Sequence, residues 1–305
     1  MAGTGEPQII AGADGVTPAV LAAMAAMPDR RLHAILSALV RHLHAFAREV
    51  RLTEAEWEAG VECLNRIGRT TDDRHNEGVL MSDVLGLSTL VCLLNNGDAG
   101  ATETAAALLG PFWRDGAPRV ANGGSLLRSP TPGPALFVRG RVTGPDGAPI
   151  GEARVDVWQS SPVGLYENQD PDQADMNLRG ILTTDADGRF AFRSVRPAGY
   201  PVPTHGPAGD VLRAQGRHPY RPAHLHVLCA KPGWKTLVSQ VFDPHDPYLA
   251  SDAVFGVTAA LIGDFVEHGP GEAPPEPDIA APWYSLDHTF VMEPGESRLP
   301  RPPIA

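Results

Sequence analysis

The sequence predicts an α+β protein, with an N-terminal helical region followed by an antiparallel β-sandwich. Three observations carry this. Apolar residues recur at helical spacing between positions 32 and 50. From about position 137 the pattern changes to short alternating runs separated by turn signals. The 30 prolines and 32 glycines gather after position 110, as many tight turns require.

In chain order, residues 1–17 are Gly-rich and polar and read as a mobile arm. Leu32, Ile35, Leu36, Leu39, Val40, Leu43, Phe46 and Val50 then keep the i, i+3, i+4, i+7 rule. Burying these eight side chains would gain on the order of 12–24 kcal/mol gross, so this face should meet other helices or a second subunit. Thr53-Glu54-Ala55-Glu56 is a capping box, with Leu52 and Trp57 as its staple, and opens a second helix reaching about 66. A third helix is expected over 76–94, closed by Asn95-Asn96-Gly97. Leu109-Gly110-Pro111-Phe112-Trp113 marks the crossing into the strand-rich half. Strands are expected at 136–142, 153–158, 188–192, 223–229, 236–242 and 288–292, with turns at Gly144-Pro145-Asp146-Gly147 and Asp185-Ala186-Asp187-Gly188. The Pro-rich loop 199–222 is too long for a plain connection, and such loops often carry function. The Pro-rich stretches 269–277 and 301–305 read as surface wraps. The expected division is an arm over 1–17, a helical region over 18–115 and a sandwich over 116–305, within a length that suits one large or two modest domains.

Composition excludes several partners. The net charge is −11 with no basic block, which argues against nucleic acid and anionic membrane surfaces. No run approaches the 18 or so apolar residues of a membrane span. Cys63, Cys92 and Cys229 are far apart, with no Cys-x-x-Cys, as in a reducing compartment; the expected location is the cytoplasm.

The chemistry starts at His224-Leu225-His226-Val227. On a strand, residues i and i+2 share a face, so the two imidazoles stand side by side while Leu225 and Val227 face away. Two neutral imidazoles on a rigid face make half a metal site, although a structural pair would look the same. Upstream, the strand Val155-Asp156-Val157-Trp158 leads to Gly164-Leu165-Tyr166. A second, Gly188-Arg189-Phe190-Ala191-Phe192, leads to Pro197-Ala198-Gly199-Tyr200-Pro201. Two of the chain's five tyrosines thus sit in loops that follow strands. A phenol ionised at pH 7 lies roughly three units below its usual pKa, about 4 kcal/mol. A hard trivalent cation supplies that, and a phenolate oxygen suits Fe(III).

These motifs, together with Gly216-Arg217-His218-Pro219-Tyr220-Arg221-Pro222-Ala223-His224-Leu225-His226, resemble the intradiol ring-cleaving dioxygenases. Those are non-haem Fe(III) enzymes that use O2 to open catechol-type rings between the two hydroxyls. The likeness runs from about 34 to 266. It implies that Tyr166, Tyr200, His224 and His226 hold one Fe(III) per chain. It implies that Tyr200 lets go of the metal to act as a base, that Arg221 stabilises negative charge on the ring, and that Gln240 lines the pocket. It also implies a homodimer through the N-terminal helices, with an apolar channel at the contact that in some members holds lipid.

Leu80, Asp83 and Val84 share one helical face that could reach over the mouth of the sheet. Ser82-Asp83-Val84-Leu85-Gly86, Leu109-Gly110-Pro111-Phe112 and Tyr200-Pro201-Val202-Pro203 are most similar to the hydroxyquinol branch of the family. That likeness implies benzene-1,2,4-triol as the substrate and 3-hydroxy-cis,cis-muconate as the product; an acidic Asp83 could accept a hydrogen bond from the extra hydroxyl. Gln240 departs from the branch, which often has histidine there, so catechol and chlorocatechols stay open as substrates.

Two other readings compete. A cupin or a two-His-one-carboxylate Fe(II) oxygenase would also use a His-x-His pair. A cupin needs a glutamate shortly after His226, where Cys229, Ala230, Lys231 and Pro232 stand. Asp243 or Asp246 could serve as the carboxylate, but Tyr166 and Tyr200 then go unexplained. The second is a transthyretin-like or immunoglobulin-like binding module without metal.

Overall fold

A computed structural model describes residues 9–72, 75–96 and 104–303. Backbone packing divides the chain into two units, Met1–Asn65 and Arg66–Ala305.

The first unit holds α1 (Ala13–Ala23), α2 (Arg30–Glu49) and the start of α3 (Glu54–Thr70). Helix α1 begins inside the stretch read as an arm; residues 1–8 of that stretch lie outside the described residues. The anchor is distant in sequence. Thr17 Oγ1 lies 2.9 Å from His44 Nδ1, and Arg48 Nη2 donates to the Ala13 carbonyl at 3.1 Å. Helix α2 starts where Asp29 accepts from the Leu32 amide at 2.9 Å. The capping box of α3 forms as its sequence requires: Thr53 N donates to Glu56 Oε2 at 2.9 Å, and Glu56 N to Thr53 Oγ1 at 3.3 Å. Along α2 and its C-cap residue Val50, Leu32, Ile35, Leu39, Leu43, Phe46 and Val50 are 44–55% exposed.

In the second unit the single helix expected over 76–94 is two. Helix α4 (Glu77–Val84) and α5 (Leu87–Asn96) bend by 81° at their junction. Gly86 makes the break, with φ at +73°, and a Cβ there would meet the Phe255 ring at 3.3 Å. No single described helix is long and apolar enough to cross a membrane, though α4 and α5 taken as one bent pair meet that length and composition. Leu80 and Val84 of α4 pack with Val202, Val254, Ala208 and Leu212. The last two lie on α6 (Pro207–Ala214), an element inside the stretch expected as loop. Glu77 Oε1 accepts from the Ala208 amide at 2.7 Å and joins the starts of α4 and α6. This packing explains why the boundary between units falls well before position 116, where the sequence pattern changes.

The strands are β1 (Gly124–Ser125), β2 (Ala135–Thr143), β3 (Arg154–Gln159), β4 (Arg179–Thr183), β5 (Arg189–Val195), β6 (Tyr200–Pro201), β7 (Tyr220–Arg221), β8 (His224–Ala230), β9 (Leu237–Phe242), β10 (Phe265–His268) and β11 (Trp283–Val291). One sheet has the order β1-β5-β2-β11-β10, the other β4-β3-β8-β9, and β6 pairs with β7 alone. The sandwich is not purely antiparallel. Strand β11 runs parallel to β2, and β1 parallel to β5. Local alternation cannot reveal this, because it reports a strand's faces and not its neighbour. Leu136, Val138, Phe190, Phe192, Leu286 and Phe290 of the first sheet meet Val155, Val157, Leu225, Val227 and Val241 of the second. Every residue of β8 is buried. Leu225, Val227 and Cys229 enter that core, so His224, His226 and Leu228 point to the opposite face, as their alternation predicts.

Candidate metal centre

The outer face of β8 meets the two tyrosine-bearing segments and the segment around Phe112. Tyr166, Tyr200, Phe112, Trp113, Trp158 and Leu228 form one buried cluster. Tyr166 and Tyr200 stand edge to face, with ring centroids 5.3 Å apart. Tyr200 is 5.7 Å from His224, Tyr166 is 6.4 Å from His226, and the two imidazoles are 4.6 Å apart, centroid to centroid. All four side chains are buried, none more than 2% exposed. Phe112 stacks on Tyr166 at 4.4 Å and Trp158 on His226 at 4.6 Å.

The polar atoms converge. His224 Nε2 and His226 Nε2 are 3.0 Å apart. His224 Nδ1 lies 2.7 Å from the Pro222 carbonyl. A carbonyl only accepts, so Nδ1 carries the proton and Nε2 presents a lone pair, the usual arrangement for a metal-binding imidazole. Burial, reinforced by Arg221, lowers the His224 pKa to about 3, and burial with His224 beside it takes His226 well down too. Both rings are therefore neutral at pH 7. Burial, with Tyr200 next to it, pushes the Tyr166 pKa well up. The Tyr166 hydroxyl is buried without a hydrogen-bond partner of normal geometry. Such an orphan costs about 1–3 kcal/mol. A cation facing that oxygen and the imidazole lone pairs would remove the cost, so an N2O2 donor set of two histidines and two tyrosines fits a hard ferric ion.

The structure brings other expected residues close. Arg221 is buried and pairs in register with Tyr200. Its Nη1 lies 3.5 Å from His224 Nε2. Gln240 accepts from Arg221 Nη2 at 3.1 Å, donates to the Leu108 carbonyl at 2.8 Å and lies 3.3 Å from His226 Nδ1. It thus links Arg221 to His226. Leu80, Asp83 and Val84 are buried together, as one helical face requires. Burial lifts the Asp83 pKa to about 6, against a Ser88 hydrogen bond and the Arg221 charge, which both lower it. Asp83 therefore shares the field of Arg221 and is no surface charge. Pro111 and Pro203 are half-buried beside Phe112 and Val202 in the chain.

Gly199, which precedes Tyr200, does not have a positive φ. A Cβ there would lie 2.8 Å from both the Arg221 carbonyl and Asp246 Oδ2. Glycine is needed for close approach, and Tyr200 is tied into the β6–β7 ladder, so any swing belongs to its side chain. Trp158 and Asp252 escaped the sequence reading. Trp158 pairs with His226 across β3 and β8, a neighbour that only register reveals.

The carboxylates required by the Fe(II) reading are committed elsewhere. Asp243 Oδ2 binds Arg196 Nε at 2.6 Å, and Asp246 accepts from the Ala223 and Tyr248 amides. Among the described residues, no three His, Cys, Asp or Glu gather as a metal site.

Residues 29–102 match the family described as catechol dioxygenase N terminus, and 108–279 the family described as dioxygenase. The 6-chlorohydroxyquinol 1,2-dioxygenase of Cupriavidus pinatubonensis is 45% identical over 280 residues, 92% of this chain and 96% of that one. This chain belongs to the intradiol ring-cleavage dioxygenases. The catechol 1,2-dioxygenase of Candida albicans is 43% identical over 77% of this intradiol dioxygenase and 78% of its own length. The solved hydroxyquinol 1,2-dioxygenase of Pseudomonas putida DLL-E4 superposes with a TM-score of 0.84 at 37% identity, covering 93% of this chain and 99% of that one. Intradiol dioxygenases are generally iron-dependent and act on a catechol-type diol with O2. The non-enzymatic reading is thereby set aside, and the helical region with its β-sandwich is the architecture of the family.

Proposed function

We propose that this intradiol dioxygenase opens benzene-1,2,4-triol between its adjacent hydroxyls, using one Fe(III) per chain held by Tyr166, Tyr200, His224 and His226. The observation that carries the substrate is Asp83: a buried carboxylate on the face of α4 that bears Leu80 and Val84, in the field of Arg221. A third ring hydroxyl would give this buried carboxylate a second hydrogen-bond donor beside Ser88. Leu80, Val84, Val202 and Val254 offer an apolar wall for the ring. Pro111, Phe112 and Pro203 complete the pocket in this reading, and Gln240 holds its rear through Arg221 and His226.

When bound, ferric iron would activate the chelated diol towards O2. The protein's own part is proton and charge management. Tyr200 Oη takes the proton of one diol hydroxyl as the ring enters. Tyr166 keeps its oxygen in place throughout. Arg221 Nη1 faces the charge that develops on the ring, in a buried site where such a donor is worth more than in water. The aromatic walls of Phe112 and Trp158 exclude competing water.

Oxygen uptake on hydroxyquinol, catechol and chlorocatechols tests the substrate. The intact enzyme should favour the triol, and Asp83→Asn should lower kcat/KM for the triol by about tenfold or more, roughly one charged hydrogen bond, while changing catechol little. Equal losses on both substrates would contradict the role of Asp83. Gln240, standing where the hydroxyquinol branch often has histidine, favours catechol as a second substrate.

The half-exposed apolar stripe of α2 is the contact of a homodimer in this proposal. Leu39→Asp with Leu43→Asp should give a smaller or aggregated species in light scattering, whereas a clean monomer for the unmutated protein would contradict it. The enzyme belongs in the cytoplasm in this reading, in keeping with Cys63 and Cys229 standing outside any disulfide.

A further inference from the structure

Arg221 and Asp252 form a buried ion pair, their side chains 4% and 2% exposed. Nε meets Oδ1 at 3.1 Å and Nη2 meets Oδ2 at 3.2 Å. Nη2 also donates to Gln240. One edge of the planar fork is thus fully committed, and Nη1 is the corner left facing His224. Asp252 is itself fixed by the amides of Val254 at 3.3 Å and Gly256 at 2.9 Å. The same turn is tied to the pocket helix. Arg217 donates to the Ala253 carbonyl at 2.8 Å and to the Val84 carbonyl at 2.9 Å, and Thr89 Oγ1 donates to the Val254 carbonyl at 3.1 Å.

We propose that Asp252 is a positioning residue of this dioxygenase: it holds the guanidinium of Arg221 edge-on so that Nη1 is aimed at the bound diol. Through the turn 252–256 it also fixes Arg221 relative to Asp83 on α4. The inference rests on the reading of Arg221 as the donor to the reacting ring. An arginine chain without that carboxylate has several rotamers and would lose its bidentate register. It would also leave an uncompensated buried cation beside the metal-binding residues, which is costly.

The experiment compares Asp252→Asn, Arg221→Gln and the double variant as iron-loaded enzyme, measuring iron content, visible spectrum, anaerobic diol binding, kcat and KM. Asp252→Asn should keep its iron and spectrum, hold KM within about threefold and lose about 10–100-fold in kcat. Arg221→Gln should lose at least as much, and the double variant no more than Arg221→Gln alone, because the two changes remove one function. Gly256→Ala supplies an independent route should the Asn variant fail to fold. Its Cβ would fall 2.8 Å from Arg221 Nη2 and 3.1 Å from Asp252 Oδ2, straining the same pair without removing the carboxylate, and kcat should fall in the same way. Full kcat in a folded, iron-loaded Asp252→Asn or Gly256→Ala enzyme overturns the proposal, as does an Asp252→Asn loss that multiplies onto Arg221→Gln. If Arg221→Gln itself turns over normally, the role of Arg221 falls and takes this proposal with it. A slow Arg221→Gln beside a fast Asp252→Asn removes the role of Asp252 alone.

Discussion

Tyr200→Phe is expected to keep its iron and lose turnover by at least about a hundredfold, the lower end of what a positioned general base contributes. The substitution keeps the ring and removes only the oxygen. Packing should survive, because Tyr200 is held by its aromatic neighbours and by the β6–β7 pairing with Arg221. What disappears is the proposed acceptor for the diol proton. Part of the visible band should go with it, since one of two phenolates is lost, while diol binding under anaerobic conditions should persist. A fully iron-loaded Tyr200→Phe enzyme with near-normal turnover would show that Tyr200 is not the base.

Tyr166→Phe should behave in the opposite sense, and stability separates the two. The Tyr166 hydroxyl is buried with no normal hydrogen-bond partner, at the centre of a stacked aromatic cluster. Removing it from the iron-free protein takes away a desolvation cost, so urea unfolding should find that protein equally stable or up to about 1–3 kcal/mol more stable. The iron-loaded protein should instead weaken, with ferric affinity reduced by at least about tenfold, because the oxygen proposed to stay on the metal is gone. Lower stability of the iron-free Phe variant together with unchanged iron affinity would mean that the hydroxyl is structural.

The contrast between these tyrosines shows how far the sequence could be read. The histidine pair was legible from spacing alone, because a strand places i and i+2 on one face. Observed β8 does so, with Leu225 and Val227 in the sandwich core. The tyrosines needed the resemblance, since nothing in two separate loops says that their rings meet 5.3 Å apart. The caps of α2 and α3 are local and were readable in part, as the Thr53–Glu56 box shows. Helix α1 depends on His44 and Arg48, and the break at Gly86 on Phe255 far along the chain. The parallel β2–β11 pair and the Trp158–His226 stack depend on register between distant strands. Asp252 was silent for the same reason: one aspartate in a turn signals nothing until Arg221 is seen to close on it.

The central claim is that Tyr166, Tyr200, His224 and His226 hold one ferric ion that the diol reaches directly. Metal content and the visible spectrum of the active protein, recorded before and after anaerobic addition of hydroxyquinol or catechol, test it most directly. The account predicts about one iron per chain and a red protein whose tyrosinate-to-iron band shifts when the diol binds. Active protein that carries zinc or copper, or iron without such a band, would contradict it.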